Sequence, residues 1–361
     1  MNERGQRIGI LADEPLQQQR LRSLLTEAGF QVALCTAPQR ISPALFDSSS
    51  IELWLVDADL EACPEAVVDA LFGEHLAPII FSDTPEGARE DRTYRAWANR
   101  LIEKIQHSLP PTPLAPVTAL IDGRELAGLN TQTSTNSPSR TAIPLPSALR
   151  GKSAEPVQEL WVLGASLGGP AAVKAFLDAL PADLPCAFLY AQHIDAPFQA
   201  HLLQALGSSA LTLNFLHDTA QPLRNGHLYL VPVTHRFQVT PEGILERQSG
   251  PWSGPYAPSI DECFELAASQ FHGRCNAIVF SGMGGDALLG AAHIHASGGQ
   301  VWTQCSTSCI QSAMPDALYH AGLSNFSGTP SALAHALVHH LEKQLGSGTR
   351  ANPTSNITHS L

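Results

Sequence analysis

Two short apolar runs that each break into glycines and then feed a helix constrain this chain more than any other feature. The first is Leu160-Trp-Val-Leu-Gly164-Ala-Ser166-Leu-Gly168-Gly169-Pro170, and the second is Asn276-Ala-Ile-Val-Phe-Ser-Gly282-Met283-Gly284-Gly285-Asp286. Runs of this length bounded by turn residues read as strands buried on both faces, the kind found in parallel sheets covered by helices. Pro170 suits a first helical turn, and Val173, Phe176, Leu177 and Leu180 follow at helical spacing, so the chain returns over the sheet as a βα unit does. A third run, Cys186 to Ala191, ends in Gln192-His193, which places an imidazole at the carboxyl end of the strand after the serine's.

Each of the three polar residues has a plain structural role as well as a chemical one. Ser166 sits on a turn whose glycines expose its hydroxyl, yet a Gly-rich loop before a helix also binds phosphate. His193 is one of 15 histidines, and a lone histidine after a strand is usually a packing or surface residue. An unperturbed imidazole in general titrates near pH ~6.5, which suits histidine to take a serine proton and return it to a leaving group. Asp286 near a helix start could cap that helix, worth about 1 kcal/mol, or orient an imidazole. Backbone N–H groups freed by the glycines around Met283 could face an oxyanion. The order Ser, His, Asp differs from the Ser, Asp, His order of α/β-hydrolases despite the shared G-x-S-x-G string, which disfavours a lipase.

At 361 residues the chain calls for two domains. Apolar residues make up 44% and charged ones 15%, so folded cores are expected. Residues 1–109 form one candidate domain, 110–156 a polar flexible linker, 157–343 the second domain, and 344–361 a disordered tail. The seven cysteines are scattered without C-x-x-C spacing, so neither a disulfide framework nor a zinc site is indicated, and the close pair Cys305 and Cys309 lacks further ligands. A net charge of −12 argues against nucleic acid as a partner. No run approaches the roughly 18 apolar residues of a spanning helix, and Met1 to Ile10 is too polar for a secretion signal. A cytoplasmic protein without membrane insertion is the expectation.

In the N-terminal segment, apolar strands at Ile8–Leu11, Leu53–Val56 and Ile79–Phe81 end beside Asp13 and Glu14, Asp57, and Ser82, which an open parallel sheet would gather in one crevice. Over about residues 5–109 this resembles the receiver domain of response regulators. The resemblance implies that Asp13, Glu14 and Asp57 hold Mg²⁺, that Asp57 accepts a phosphoryl group from a histidine kinase, and that Ser82 contacts that group. The family's final strand ending in Lys-Pro is missing, because Gly87 to Leu109 reads as polar residues running into one helix, so the domain is expected to be degenerate. Asp57 beginning a solvated loop is the plainer alternative.

From about residue 157 to 343 the chain resembles the catalytic domain of CheB-type protein-glutamate methylesterases. The strings G-A-S-x-G-G, Q-H and G-M-G-x-D recur in order, together with Pro197-Phe198, Tyr256-Ala-Pro258-Ser259-Ile260-Asp261 and Ala313-Met314-Pro315. The resemblance implies a doubly wound, Rossmann-like α/β fold, so that both domains are mostly parallel sheets flanked by helices. It also implies Ser166 as nucleophile, His193 as general base and acid, Asp286 as orienting carboxylate, and the Met283 amide as oxyanion donor, with no cofactor for catalysis. The implied substrate is a glutamate γ-methyl ester on a methyl-accepting chemoreceptor, and the same machinery suits glutamine deamidation. The implied N-terminal role is regulatory, covering the crevice. Leu167 stands where the family commonly has Thr or Ala, Ile194 where it has Met, and Ala287 where it has Gly, departures that bear on substrate preference. A receptor-binding adaptor without turnover and a general small-molecule esterase are the competing functions.

Overall fold

The structure, a computed structural model, describes residues 6–46, 50–73, 77–82, 84, 92–109, 143–207, 209–216 and 219–348. The N-terminal part contains β1 (Arg7–Ala12), α1 (Pro15–Glu27), β2 (Gln31–Thr36), β3 (Leu53–Asp57), α2 (Glu65–Leu71), β4 (Ile79–Phe81) and α3 (Arg92–Ser108). Its four strands pair in parallel in the order β2-β1-β3-β4. Alternation along the strands splits the core in two. Ile8, Ile10, Leu53 and Leu55 pack under Leu21, Leu25, Leu101 and Ile105, while Leu11, Trp54 and Val56 face the opposite side. Among the described residues the sheet has no fifth strand; residues 83 and 85–91, between β4 and α3, lie outside them.

The C-terminal part is a seven-stranded parallel sheet. Its strands are β5 (Leu160–Ala165), β6 (Ala187–Gln192), β7 (Thr212–Phe215), β9 (His227–Leu230), β12 (Cys275–Val279), β13 (Val301–Gln304) and β14 (Phe326–Gly328), in the order β14-β13-β12-β5-β6-β9-β7. Helices α4 (Gly169–Ala179), α5 (Gln199–Ala205) and α9 (Pro330–Gly348) bring apolar residues to one face, and α6 (Ile260–Phe271), α7 (Leu288–Ala296) and α8 (Ala313–His320) to the other. This is the expected doubly wound α/β arrangement. A small antiparallel sheet of β8 (Gln221–Pro222), β10 (Arg236–Val239) and β11 (Ile244–Gln248), in the order β10-β11-β8, packs on the α6 side through Phe237 and Leu245. Numbered along the chain, the strands run outward from β5 through β6 and then resume on its other side at β12. That reversal creates a crevice at the carboxyl ends of β5 and its neighbours.

Two expected boundaries move. The part of the supposed linker that is described, 143–156, packs on the C-terminal domain: the Ile143 amide donates to the Ala179 carbonyl at 3.0 Å, and Leu149 is fully buried. Its few apolar residues, Ile143, Leu145 and Leu149, find burial beside the main core, which the average composition of the segment concealed. At the other end α9 continues to Gly348, past the expected limit at 343, and residues 349–361 lie outside the described residues. Residues 110–142 of the linker also lie outside them. No described helix is long and apolar enough to cross a membrane.

The two halves share apolar packing. Phe81 at the end of β4 stacks with Phe72 and meets Phe198, each at 5.1 Å between ring centroids. Leu167, one residue past the serine, joins the cluster formed by β1, β3, α1 and α3.

Candidate active site

Strand register brings the three sequence candidates to neighbouring strand ends. Ala165 pairs with Gln192, and the His193 amide donates to the Ala165 carbonyl at 3.0 Å, so Ser166 and His193 leave adjacent strands side by side. On the other side of β5, Val279 pairs with Gly164, and the Ser166 amide donates to the Ser281 carbonyl at 3.0 Å. Ser166 and His193 line one cleft. His193 Nε2 lies 2.8 Å from Asp286 Oδ2. With the carboxylate accepting from Nε2–H, Nδ1 is left with the lone pair that a general base needs. Among the described residues Ser166 Oγ makes no hydrogen bond to His193; contacts of this kind are often long without substrate and tighten once it binds.

Asp286 answers both of the roles open to it in the sequence. Its Oδ2 also accepts from the Ile260 amide at 2.7 Å, and Oδ1 accepts from the Asp261 amide at 2.9 Å and from Ser259 Oγ at 3.4 Å. These amides open α6, where helix N–H groups lack internal partners. Asp286 therefore caps α6 rather than the helix that follows it. That helix, α7, is capped by Asp261, whose Oδ1 accepts from Ala287 at 3.0 Å and Gly290 at 2.7 Å. Each aspartate thus satisfies the other's helix. Burial by itself would raise the Asp286 pKa, but the hydrogen bond and charge of His193 and the two amides hold it below the ordinary value. Asp261 is pushed up, first by burial and then by the charge of Asp286, against the pull of its amide donors. The charge is accordingly kept on the carboxylate that faces the imidazole.

Tyr256 stacks on His193 with centroids 4.8 Å apart and an interplanar angle of 3°, which fixes the plane of the imidazole. Gln192 donates to the Ser166 carbonyl at 2.8 Å and accepts from Tyr190 at 2.7 Å, bracing the serine turn from below. Tyr256 and Asp261 belong to the string Tyr256-Ala-Pro258-Ser259-Ile260-Asp261, whose residues carry no evident role in the sequence. Residue type could not reveal them, because each acts on a partner 25 or more positions away.

On the oxyanion side, the Gly282 amide donates to the Gln311 carbonyl at 2.8 Å and its carbonyl accepts from the Met314 amide at 3.0 Å, pinning the turn. The next amide, that of Met283, donates to no acceptor among the described residues, which leaves it available to a developing oxyanion. Gly282 is required by contact: a Cβ there would lie 2.2 Å from Met314 Sδ and 3.0 Å from Ser166 Cβ. Gly282→Ala is expected to displace the serine and lower turnover by about 10²-fold, since misplacing a reacting group by about 1 Å has that cost. Comparison of kcat with melting temperature checks this, as a simple packing defect would lower stability and spare kcat.

The N-terminal acidic residues are arranged differently from the expectation. Asp57 is buried, with Oδ1 accepting from Gln17 Nε2 at 2.6 Å and Oδ2 accepting from the Thr84 hydroxyl. The Ser82 hydroxyl accepts from Trp97 Nε1 at 3.2 Å. The Ser82 amide still pairs with β3, donating to the Val56 carbonyl at 2.9 Å, and it is the Thr84 hydroxyl that reaches Asp57. Asp13 accepts from the Asp59 amide, and Glu14 is exposed at the start of α1. Among the described residues no three such side chains group as metal ligands, so Asp13, Glu14 and Asp57 do not fit the joint Mg²⁺ site that the resemblance implied.

This domain also reaches into the cleft. Ile79, Phe81 and Lys104 line it together with Ser166 and His193. Burial draws the Lys104 ammonium down from its ordinary pKa, and Asp195 opposes that shift.

The family model for CheB methylesterase matches residues 161–337. Among relatives, a protein-glutamate methylesterase/protein-glutamine glutaminase of Desulfitobacterium hafniense (strain Y51) is 33% identical over 192 residues, covering 52% of this chain and 48% of that one. A protein of the same name, numbered 1, from Shewanella denitrificans is 30% identical over 247 residues, covering 68% and 63%. The protein-glutamate methylesterase FrzG of Myxococcus xanthus is 33% identical over 174 residues, covering 48% and 52%. The chain thus spans about half to under two thirds of the length of these relatives. The crystal structure of the Thermotoga maritima CheB methylesterase catalytic domain aligns with a TM-score of 0.47 and 21% identity, covering 50% of this chain and 98% of that one. The C-terminal half of this chain carries the match to the CheB methylesterase family model.

Proposed function

We propose that the chain is a protein-glutamate methylesterase that hydrolyses glutamate γ-methyl esters on a methyl-accepting chemoreceptor in the cytoplasm. The observation that carries this reading is the 2.8 Å bond between His193 and the Asp286 carboxylate, beside a serine on the adjacent strand end. The names of the relatives point to the same chemistry.

In the reaction Ser166 Oγ attacks the ester carbonyl as its proton passes to His193 Nδ1, and the carbonyl oxygen takes up negative charge facing the Met283 amide. The tetrahedral species collapses, the bond to methoxide breaks, and His193 returns the proton so that methanol leaves. Water, deprotonated by His193, then attacks the acyl-serine; the second collapse frees the glutamate carboxylate and restores the hydroxyl. Asp286 keeps the proton on Nε2 and stabilises the imidazolium throughout. Glutamine deamidation follows the same path with ammonia leaving. The adaptor reading is disfavoured by the placement of the His193–Asp286 pair beside Ser166 at adjacent strand ends, since capping α6 accounts for Asp286 but not for the imidazole between it and the serine's strand end.

The N-terminal domain, which lines the same cleft, acts in this reading as a cover that limits entry of the ester. Incubation of the full chain with a methylated receptor fragment should release methanol above the rate of the fragment alone. Hydrolysis of simple esters with no release from receptor would instead favour a small-molecule esterase.

A further inference from the structure

Leu167 follows Ser166 directly, and its side chain is only 5% exposed. Every other residue of the apolar cluster it joins lies between Ile8 and Leu109, in the N-terminal domain. Its backbone is held from the other side, where Ser281 Oγ donates to the Leu167 carbonyl at 2.7 Å. The side chain is therefore planted in one domain while its main chain is fixed to the turn that carries the serine.

Helix α3 makes this contact consequential. It supplies Leu101 and Ile105 to the cluster around Leu167, places Lys104 in the cleft with Ser166 and His193, and brings Ser108 Oγ within 4.0 Å of Met283 Sδ. One helix thus touches the nucleophile turn, the cleft and the oxyanion turn. Threonine or alanine at 167 would lack the reach and the apolar area to enter that cluster.

We infer that Leu167 is the latch by which the N-terminal domain holds the catalytic cleft closed. The inference rests on the esterase reading and adds to it the residue that couples cover to nucleophile. The latch is apolar, made by Leu167 with residues such as Leu101 and Ile105.

The test uses the full chain with Leu167→Ala and Leu167→Met, read in two independent ways. Amide hydrogen exchange over residues 92–109 reports whether α3 stays docked, and the rate at which a small fluorophosphonate labels the chain reports access to Ser166. Leu167→Ala should raise labelling at least 10-fold and speed exchange in α3, while Leu167→Met, which keeps volume and apolarity, should leave both near the parental values. Unchanged α3 exchange in Leu167→Ala overturns the latch. Faster exchange without faster labelling also overturns it, since the contact would then hold the domains together without gating the serine. If no chain labels at Ser166, the esterase reading fails, and the exchange result still decides whether Leu167 anchors α3.

Discussion

Replacement of Ser166 by alanine is expected to lower methanol release by roughly 10⁴-fold or more while leaving the fold intact. The side chain makes no hydrogen bond within the described protein, so its loss orphans no partner. Its backbone, by contrast, is tied to Ser281, Gly169 and Gln192, and those bonds survive the substitution. The prediction is therefore a large kinetic effect with a melting temperature near that of the parent, read from single-turnover assays and thermal unfolding on one preparation. Parental turnover in Ser166→Ala would remove the nucleophile assignment.

Asp286→Asn should be costly in both measurements. Each carboxylate oxygen accepts more than one hydrogen bond: Oδ2 from His193 and Ile260, Oδ1 from Asp261 and Ser259. An asparagine has only one acceptor oxygen, so its amide group must face N–H donors on one side or the other. If it faces His193, the imidazole adopts the wrong tautomer and turnover falls by up to about 10⁴-fold. If it faces Asp261, an α6 amide loses its partner at about 1–3 kcal/mol. The expected result is a fall in turnover of at least about 10³-fold together with a melting temperature lowered by several degrees. The pH dependence has a definite sign. Since the Asp286 pKa is lowered in the folded chain, its contribution to stability is present above the unfolded value of about 3.9 and is lost as pH falls through the folded value. The asparagine variant should therefore lose less stability than the parent over that acidic window.

Much of the catalytic half was legible because its information is local. An apolar run broken by glycine fixes a strand end, and the polar residue just past each end falls at the rim of a parallel sheet, which located Ser166, His193 and Asp286. The remainder depends on which distant surfaces meet. Nothing near Asp261 in the chain signals that it caps α7, because the two segments come together only when α6 packs beside α7. Tyr256 reads as a loop aromatic until the sheet places His193 under its ring. Ser82 and Thr84 are two residues apart, and residue type alone does not tell that Thr84 donates to Asp57 while Ser82 accepts from Trp97. Leu167 looked like a change in substrate preference, whereas its side chain is packed in the other domain. Residues 143–156 carried too few apolar positions to stand out from the polar stretch before them, yet those few are enough to dock the segment.

The most direct test is peptide mass mapping of the intact chain after prolonged exposure to a serine-reactive phosphonate. One adduct per chain, located on Ser166 and abolished in His193→Gln, is the predicted outcome. An adduct on another residue, or labelling of Ser166 that proceeds equally well without the imidazole, would contradict an activated serine at the carboxyl ends of β5 and β6.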